Sequence, residues 1–181
     1  MRTSRTITVV GCHAGGEVGN VVVGGVLPPA GETVFEQMQA LARDDSRRRR
    51  LLREPRGSVA QHANLIVPPT RDDCAAGYII MEPTEYPAMS GSNTICVATV
   101  LLETGMVEMH EPETTVRLEA PAGVVEVTAR CKDGKCESVE LTNVPCFTAH
   151  LGVQIEGESL GTLTVDVAVG GMWYATVQPH A

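Results

Sequence analysis

The sequence predicts an α+β protein in which a strongly curved sheet is wrapped around one buried helix. Strand-like segments dominate the chain. The segment from Ser90 to Glu103 has the length of a helix, but it is apolar on nearly every side from Ile95 to Leu102. A helix without a polar face must be surrounded by protein. Because most other elements are strands, a sheet wrapped around this helix is the most economical packing.

The N-terminal third is predicted to contain two strands and a helix. The strands are Thr6–Val10 and Val21–Val26, and the Gly-rich loop 13–20 that joins them has glycines that permit positive φ. An amphipathic pattern predicts a helix from Val34 to Leu52. It is ended by Glu54-Pro55-Arg56-Gly57.

The rest of the chain is predicted to be strands around the apolar helix. Gly105 is suited to the C-terminal end of that helix. Asp133-Gly134 predicts a tight hairpin turn. The predicted strands are Asn64–Val67, Ala75–Met81, Thr115–Glu119, Val124–Arg130, Glu137–Thr142, Leu163–Val169 and Trp173–Val177. Residues 1–181 therefore form a single domain, or one lobe of a larger protein.

Composition excludes several kinds of partner. The net charge of −8 argues against nucleic acid and anionic membranes as partners. The arginine run 47–50 follows Asp44 and Asp45, which predicts a salt-bridged helix surface. No segment is apolar enough to cross a bilayer, and the N-terminus lacks the apolar part of a signal peptide. We therefore expect a cytoplasmic protein.

The six cysteines are expected to be reduced in that compartment. Cys131 and Cys136 flank the Asp133-Gly134 turn and are predicted to face each other across a hairpin. The chain has no CxxC motif, and its other Cys and His residues are too sparse for a closed ligand set. We therefore expect no metal.

Ser90-Gly91-Ser92-Asn93 is the motif with the most chemical content. A serine at a helix N-cap leaves backbone N–H groups that form a seat for a carboxylate or phosphate. An ordinary capped helix explains the same residues. Ser90 can act as an acid/base group only if something activates it, since a free hydroxyl is a weak base at neutral pH. The sequence shows no obvious proton acceptor near it.

Four further polar residues are candidates for a site. His13 and Glu17 lie at the Gly-rich loop, where they either line a site or are solvated turn residues. This loop is not a phosphate loop, because it lacks the GK[ST] ending and the GxGxxG spacing. Glu54 and Arg56 bracket a proline and form either a structural ion pair or part of a site.

Taken together and in order, six motifs resemble the N-terminal half of the proline racemase family. That family includes proline racemases, 4-hydroxyproline 2-epimerases and trans-3-hydroxy-L-proline dehydratases. Each motif is weak alone, but six in register are specific. They are His13-Ala14-Gly15-Gly16-Glu17, Glu54-Pro55-Arg56-Gly57, Met89-Ser90-Gly91-Ser92-Asn93, Glu119-Ala120-Pro121-Ala122-Gly123, Thr142-Asn143-Val144-Pro145-Cys146-Phe147 and Val165-Asp166-Val167-Ala168-Val169-Gly170-Gly171.

The resemblance implies a diaminopimelate-epimerase-like fold of two lobes, each with a mixed sheet around a central helix. The active site lies between the lobes, where one acid/base residue from each faces the substrate Cα, without a cofactor or metal. On this basis Ser90 is the catalytic residue of the first lobe. The amides of Gly91, Ser92 and Asn93 bind the carboxylate of proline or a hydroxyproline. His13, Glu17, Glu54 and Arg56 are weaker candidates that line the site or support it.

The sequence departs from the family pattern in three ways. Ser90 replaces the usual cysteine, Ser92 replaces a histidine near the substrate nitrogen, and the second lobe is absent. The serine favours epimerisation or dehydration of a hydroxyproline over inversion of proline. The 181-residue chain alone is expected to be inactive. The alternative is a non-catalytic lobe that binds a small carboxylate or a partner protein. An apolar face left by a missing lobe would also promote self-association, as in a homodimer.

Overall fold

The computed structural model describes residue 3 and residues 5–177. The other residues of the predicted 1–181 domain lie outside the described part. The described helices are α1 (Val34–Ala42), α2 (Ser46–Leu52) and α3 (Gly91–Glu103). The described strands are β1 (Thr8–Val10), β2 (His13–Ala14), β3 (Glu17–Gly24), β4 (Gln61–Val67), β5 (Ala76–Met81), β6 (Glu113–Ala120), β7 (Gly123–Lys132), β8 (Lys135–Thr142), β9 (Phe147–Gly157), β10 (Gly161–Val169) and β11 (Trp173–Val177).

The strands form one large mixed sheet and one small antiparallel sheet. The large sheet has the order β1-β3-β4-β5-β6-β7-β8, with β2 paired to β3. Its β3/β4 and β5/β6 pairs are parallel and its other pairs antiparallel. The small sheet has the order β11-β10-β9. The predicted α+β class with a mixed sheet is therefore confirmed.

Two apolar cores lie on opposite faces of the large sheet. Strand β5 is buried along its whole length and contributes to both cores, because successive side chains of a strand point to opposite faces. Tyr78 and Ile80 pack in the core that contains α3. Ile79 and Met81 pack in the core that contains α1 and the end of α2. The sheet thus separates α3 from the other two helices.

Helix α3 forms where the apolar segment predicted it and lies within the first core. Its residues include Val97 and Leu101, which are almost completely buried. The helix contacts β2, β3 and β4 as well as β7 and β8, so strands near both ends of the large sheet pack on it. After the helix, Gly105 has a φ of 72°, in the left-handed conformation that favours glycine. None of the described helices is long and apolar enough to cross a membrane.

The hairpin between β7 and β8 matches its sequence signal. Asp133 and Gly134 have φ values of 52° and 73°, as a two-residue turn of type I′ requires. Cys131 and Cys136 are paired across the strands, with 3.9 Å between their Sγ atoms. They therefore face each other as predicted, and both thiols are free.

The predicted helix from Val34 to Leu52 is wrong in one respect, because it is two helices. The chain leaves the helical path at residues 43–45, where the Asp44 carboxylate accepts the N–H of Ser46 at 3.1 Å. Such a bond offers the backbone an alternative to a continuous helix. The expected charge pairing is confirmed, because Asp45 forms ion pairs with Arg48 at 3.1 Å and with Arg49 at 2.7 Å.

Arg48 connects α2 to the segment that precedes α3. Its side chain is buried and donates to the carbonyl of Glu82 at 3.2 Å and to that of Pro83. Its guanidinium carbon lies 5.4 Å from the centre of the Tyr86 ring, within the range of a cation–π contact. The arginine therefore fixes the backbone of the loop that carries Glu82.

We expect Arg48→Met to lower the free energy of unfolding by about 2–3 kcal/mol, because it leaves the Glu82 and Pro83 carbonyls and Asp45 without their buried partner. The matched control is Arg50→Met, which removes an exposed arginine of the same helix and should change stability by less than about 0.5 kcal/mol. Urea unfolding of both variants measures the difference. Equal effects in the two variants would contradict this account.

Candidate active site

The site is built at the N-terminal end of α3. Ser90 is the N-cap residue in an extended conformation, and its side chain makes no capping hydrogen bond. The first helical bond is donated by the N–H of Thr94 to the carbonyl of Ser90 at 3.0 Å. Within the described residues, the N–H groups of Gly91, Ser92 and Asn93 have no hydrogen-bond acceptor. Three donors and the positive end of the helix dipole thus remain available to an anion.

The Ser90 hydroxyl is held by a neighbouring amide. Asn93 donates from Nδ2 to Ser90 Oγ at 3.0 Å, and the Ser92 hydroxyl oxygen lies 3.4 Å from Ser90 Oγ. The backbone of the cap is fixed separately, because Thr94 Oγ1 donates to the Ser90 carbonyl at 2.7 Å. Ser90 Oγ therefore accepts a hydrogen bond while its own proton is free to be donated.

Asn93 is fully buried and is held in turn by two residues of β4. Asn64 donates from Nδ2 to Asn93 Oδ1 at 2.8 Å. Asn93 Nδ2 also lies 3.2 Å from His62 Nδ1. The amide is thus bonded at its oxygen by Asn64 and at its nitrogen by both Ser90 and His62.

Ser90 opens into a cavity of about 290 Å³. Its lining includes the start of α3 and the turn between β10 and β11. Gly171 of that turn packs 3.4 Å from Met89, as measured from an ideal Cβ position. The lining residues are Glu17, Glu82, Met89, Ser90, Gly91, Ser92, Asn143, Gly170, Met172 and Tyr174.

Two carboxylates line this cavity, and the His62 side chain lies close to both of them. His62 Nδ1 lies 3.5 Å from Glu17 Oε1 and 3.9 Å from Glu82 Oε1. Burial raises the pKa of Glu82 above its ordinary value, and the proximity of His62 partly opposes that rise. The cavity that contains Ser90 therefore also contains proton acceptors, which the sequence did not reveal.

The sequence-predicted residues do not all meet here. Ser90, Gly91, Ser92 and Glu17 line the cavity, whereas Asn93 lies behind it with its side chain buried. His13 is exposed, and its Nδ1 accepts the N–H of Gly16 at 3.2 Å. Because that bond closes the turn between β2 and β3, His13 is a turn residue.

Glu54 and Arg56 form no ion pair with each other, and neither lines the Ser90 cavity. Both side chains are exposed. Arg56 instead borders a separate cavity of about 360 Å³ together with Arg5 and Arg50. That cavity also includes Ala63, whose side chain belongs to the α1 side of the large sheet. These two residues are therefore placed away from the candidate site.

The site residues that were missed from the sequence include His62, Asn64 and Glu82. A signal for two of them existed, because His62 and Asn64 are polar residues two positions apart in an otherwise apolar segment. Such a spacing places both side chains on one face of a strand. Glu82 follows the buried strand β5 directly, and nothing in its local sequence distinguishes it from a solvated residue.

A family model described as proline racemase matches residues 9–181 of the chain. The chain belongs to the proline racemase family. A hydroxyproline epimerase from Agrobacterium vitis, solved with bound trans-4-hydroxy-L-proline, is 44% identical and superimposes with a TM-score of 0.87. A probable proline racemase from Agrobacterium radiobacter K84, solved with bound carbonate, is 46% identical, also with a TM-score of 0.87.

The chain spans about half the length of these proline racemase relatives. The match to the A. vitis protein covers 98% of this chain and 53% of the relative, and the match to the A. radiobacter protein covers 95% and 52%. A methylitaconate-delta-isomerase is 16% identical with a TM-score of 0.55, and the match covers 91% of this chain and 51% of the isomerase chain. That last likeness shows a shared fold alone.

Proposed function

We propose that this chain is the N-terminal lobe of a two-lobe, cofactor-independent enzyme that performs acid/base chemistry at Cα of proline or a hydroxyproline. The observation that carries the proposal is the position of Ser90, whose hydroxyl opens into a cavity beside three unpartnered helix amides. The likeness to a hydroxyproline epimerase at 44% identity supports the same assignment. We further propose a cytoplasmic location, in keeping with its free cysteines.

The substrate carboxylate would bind the amides of Gly91, Ser92 and Asn93. Binding there places Cα near Ser90 Oγ, and the helix dipole helps to stabilise the negative charge that develops when the Cα proton leaves. In that step the Cα–H bond breaks and its proton forms a new Oγ–H bond to Ser90, while the proton that the Ser90 hydroxyl carried passes to a carboxylate of the same cavity. The electron pair of the broken bond stays on the carbanion. A group of the second lobe then either protonates the other face of Cα or allows loss of a 3-hydroxyl as water.

A second lobe also accounts for an exposed apolar surface. The small sheet β9–β11 leaves Leu151, Trp173 and Tyr174 at least half exposed. Trp173 and Tyr174 are adjacent in β11 and lie on opposite faces of this sheet, so both faces carry exposed apolar side chains. We propose that the second lobe covers such side chains in the complete enzyme, and that without that lobe they drive self-association into a homodimer.

The two cavity carboxylates suit the cationic nitrogen of an amino-acid substrate. Glu17 and Glu82 line the same cavity as Gly91 and Ser92, and position 92, where the family resemblance leads us to expect a histidine near the substrate nitrogen, holds a serine. We expect Glu82→Gln to raise KM for the substrate about tenfold with a smaller change in kcat. The substitution removes an interaction with the substrate ammonium that is equally strong in the ground state and in the transition state. Steady-state kinetics of the complete enzyme measure both constants. A fall in kcat at unchanged KM would contradict this role.

The proposed reaction is tested by exchange of the substrate Cα proton. The protein is purified from its own organism and incubated in D2O with L-proline, trans-4-hydroxy-L-proline and trans-3-hydroxy-L-proline, and deuterium at Cα is followed by mass spectrometry. Exchange with one of these substrates supports the proposal. Absence of exchange together with binding of the same compounds would support the alternative, a non-catalytic lobe for small carboxylates.

The proposed two-lobe organisation has its own test, which is the intact mass of the natural protein. A mass near twice 19.2 kDa is expected if a second lobe of similar size completes the site. The residue that faces Ser90 from that lobe then separates epimerisation from dehydration. A mass of 19.2 kDa would contradict the two-lobe proposal and favour binding over catalysis.

A further inference from the structure

We infer that the buried amide of Asn93 is a positioning residue that holds Ser90 Oγ as a hydrogen-bond acceptor and so lets this serine take the place of a cysteine. The inference rests on the proposed role of Ser90, but its test does not require turnover. Its starting point is the 3.0 Å bond from Asn93 Nδ2 to Ser90 Oγ. A hydrogen bond donated to an oxygen stabilises the charged form of that oxygen.

The orientation of Asn93 is fixed by its other bonds. Its oxygen accepts the 2.8 Å bond from Asn64, and its nitrogen lies 3.2 Å from His62 Nδ1. The amide nitrogen has two hydrogens, and one of them is directed at Ser90 Oγ.

Burial makes this arrangement rigid. Asn93 and Asn64 are both fully buried, so neither amide can exchange its protein partners for bulk water. Asn64 Oδ1 has no hydrogen-bond partner among the described residues. An unpaired buried oxygen lowers stability. The network keeps this unpaired Asn64 oxygen and, with it, the orientation in which Asn93 donates an N–H to Ser90. We take this as an indication that the donor to Ser90 is the functional part of the network.

A thiol at position 90 reports on this donor without any catalysis. In Ser90→Cys, the pH midpoint of alkylation by iodoacetamide, read for that residue alone by peptide mass spectrometry, gives the pKa of the introduced thiol. The Asn93 N–H, when present, stabilises the thiolate. Removing the donor should therefore move the midpoint to higher pH, by about one pH unit.

The donor is removed with Asn64→Leu and Asn93→Leu together in the Ser90→Cys background. Replacing both members of a buried hydrogen-bonded pair by apolar residues of similar size is far less costly than replacing one. The matched control is Asn20→Leu, because Asn20 follows Gly19 on β3 and so points to the other face of the sheet. The ionisable groups that line the cavity, Glu17, Glu82 and Tyr174, are unchanged in all of these variants, and so is His62, which contacts Asn93 and Glu17.

A higher midpoint in the double-leucine variant, with no change in the Asn20→Leu control, is the expected result. An unchanged or lower midpoint overturns the inference. If the double-leucine variant does not fold, as judged by circular dichroism, Asn93→Leu alone replaces it. That change removes the N–H without adding a charge beside the thiol, so the midpoint should rise there as well, and a constant midpoint overturns the inference.

A second arm uses the complete enzyme. The double-leucine change should reduce Cα exchange about 10²-fold when position 90 is serine, and much less when it carries Ser90→Cys, because a thiol with a pKa of about 8.5 needs less help to ionise. Equal losses in both backgrounds overturn the inference. If the unmodified enzyme exchanges none of the substrates, the proposed function is wrong. The alkylation midpoints of the Ser90→Cys variants would still test the role of Asn93.

Discussion

Ser90→Ala is expected to abolish substrate-dependent exchange of the Cα proton in the complete enzyme, with a loss of about 10²–10⁴-fold. The alanine has no oxygen to take the proton, although the amides of residues 91–93 still bind the carboxylate. Substrate affinity should therefore change little while exchange disappears. Deuterium incorporation in D2O measures the exchange, and calorimetry measures the affinity.

The same variant should fold normally, for a reason particular to this helix. A serine that caps a helix costs about 1 kcal/mol or more when replaced by alanine, but the Ser90 side chain makes no capping bond. Only the bond from Asn93 is lost. The matched control is Ser138→Ala on an exposed position of β8, which should leave exchange unchanged. Exchange that survives in Ser90→Ala would falsify its role as the base and would direct attention to Glu82.

Ser90→Cys completes the series. A cysteine is the residue that the family resemblance leads us to expect at position 90, and a thiol is closer than a hydroxyl to ionisation at neutral pH. We therefore expect this variant to keep exchange activity, in contrast to Ser90→Ala. The pair separates loss of an ionisable group from loss of packing at the start of α3.

The elements that could be predicted from the sequence are those whose signal is local. The apolar segment of α3 and the Asp133-Gly134 turn each determine their own conformation, and both occur where predicted. The break between α1 and α2 depends on one hydrogen bond from Ser46 to Asp44, which helical periodicity does not register. Strand β9 was missed because most of its side chains are exposed and Gly152 interrupts its alternation with a φ of 64°.

Only the part of the site at the N-terminal end of α3 was predicted from the sequence. Ser90 and the helix amides follow from an N-cap motif, which is contained in a few consecutive residues. Asn64 and His62 reach Asn93 across 29 and 31 positions of the sequence. Such contacts exist only once β4 is placed beside β3 and both pack against α3. No local pattern could therefore assign them partners.

Gly19→Ala is expected to damage both stability and catalysis, because Gly19 is where strand β3 packs directly on the site. A Cβ at this position would lie 2.9 Å from Cys96 Sγ and 3.0 Å from Asn93 Oδ1. Real Cβ atoms essentially never approach so closely, so α3 must move or the two side chains must change position. Overpacking of a buried contact costs about 1–3 kcal/mol, and urea unfolding measures that loss.

The catalytic loss follows from the second contact. Any shift of Asn93 Oδ1 away from the new methyl group disturbs the bond from Asn64 and turns the Asn93 N–H away from Ser90 Oγ. A displacement of about 1 Å near a reacting group costs about 10²-fold in rate, and we expect a loss of that order in Cα exchange. The matched control is Gly24→Ala in the same strand, whose Cβ would meet only Thr8 at an ordinary 3.6 Å.

Cys96→Ala tests whether the steric contact is the cause. Added to Gly19→Ala, it removes the sulfur atom that a Cβ at position 19 would meet first, so α3 can stay closer to its original place. Part of the lost exchange should then return, even though the thiol itself contributes packing to the core. If no exchange returns, displacement of α3 is not the cause of the loss. Gly19 would then not act by leaving space for Asn93 beside Ser90.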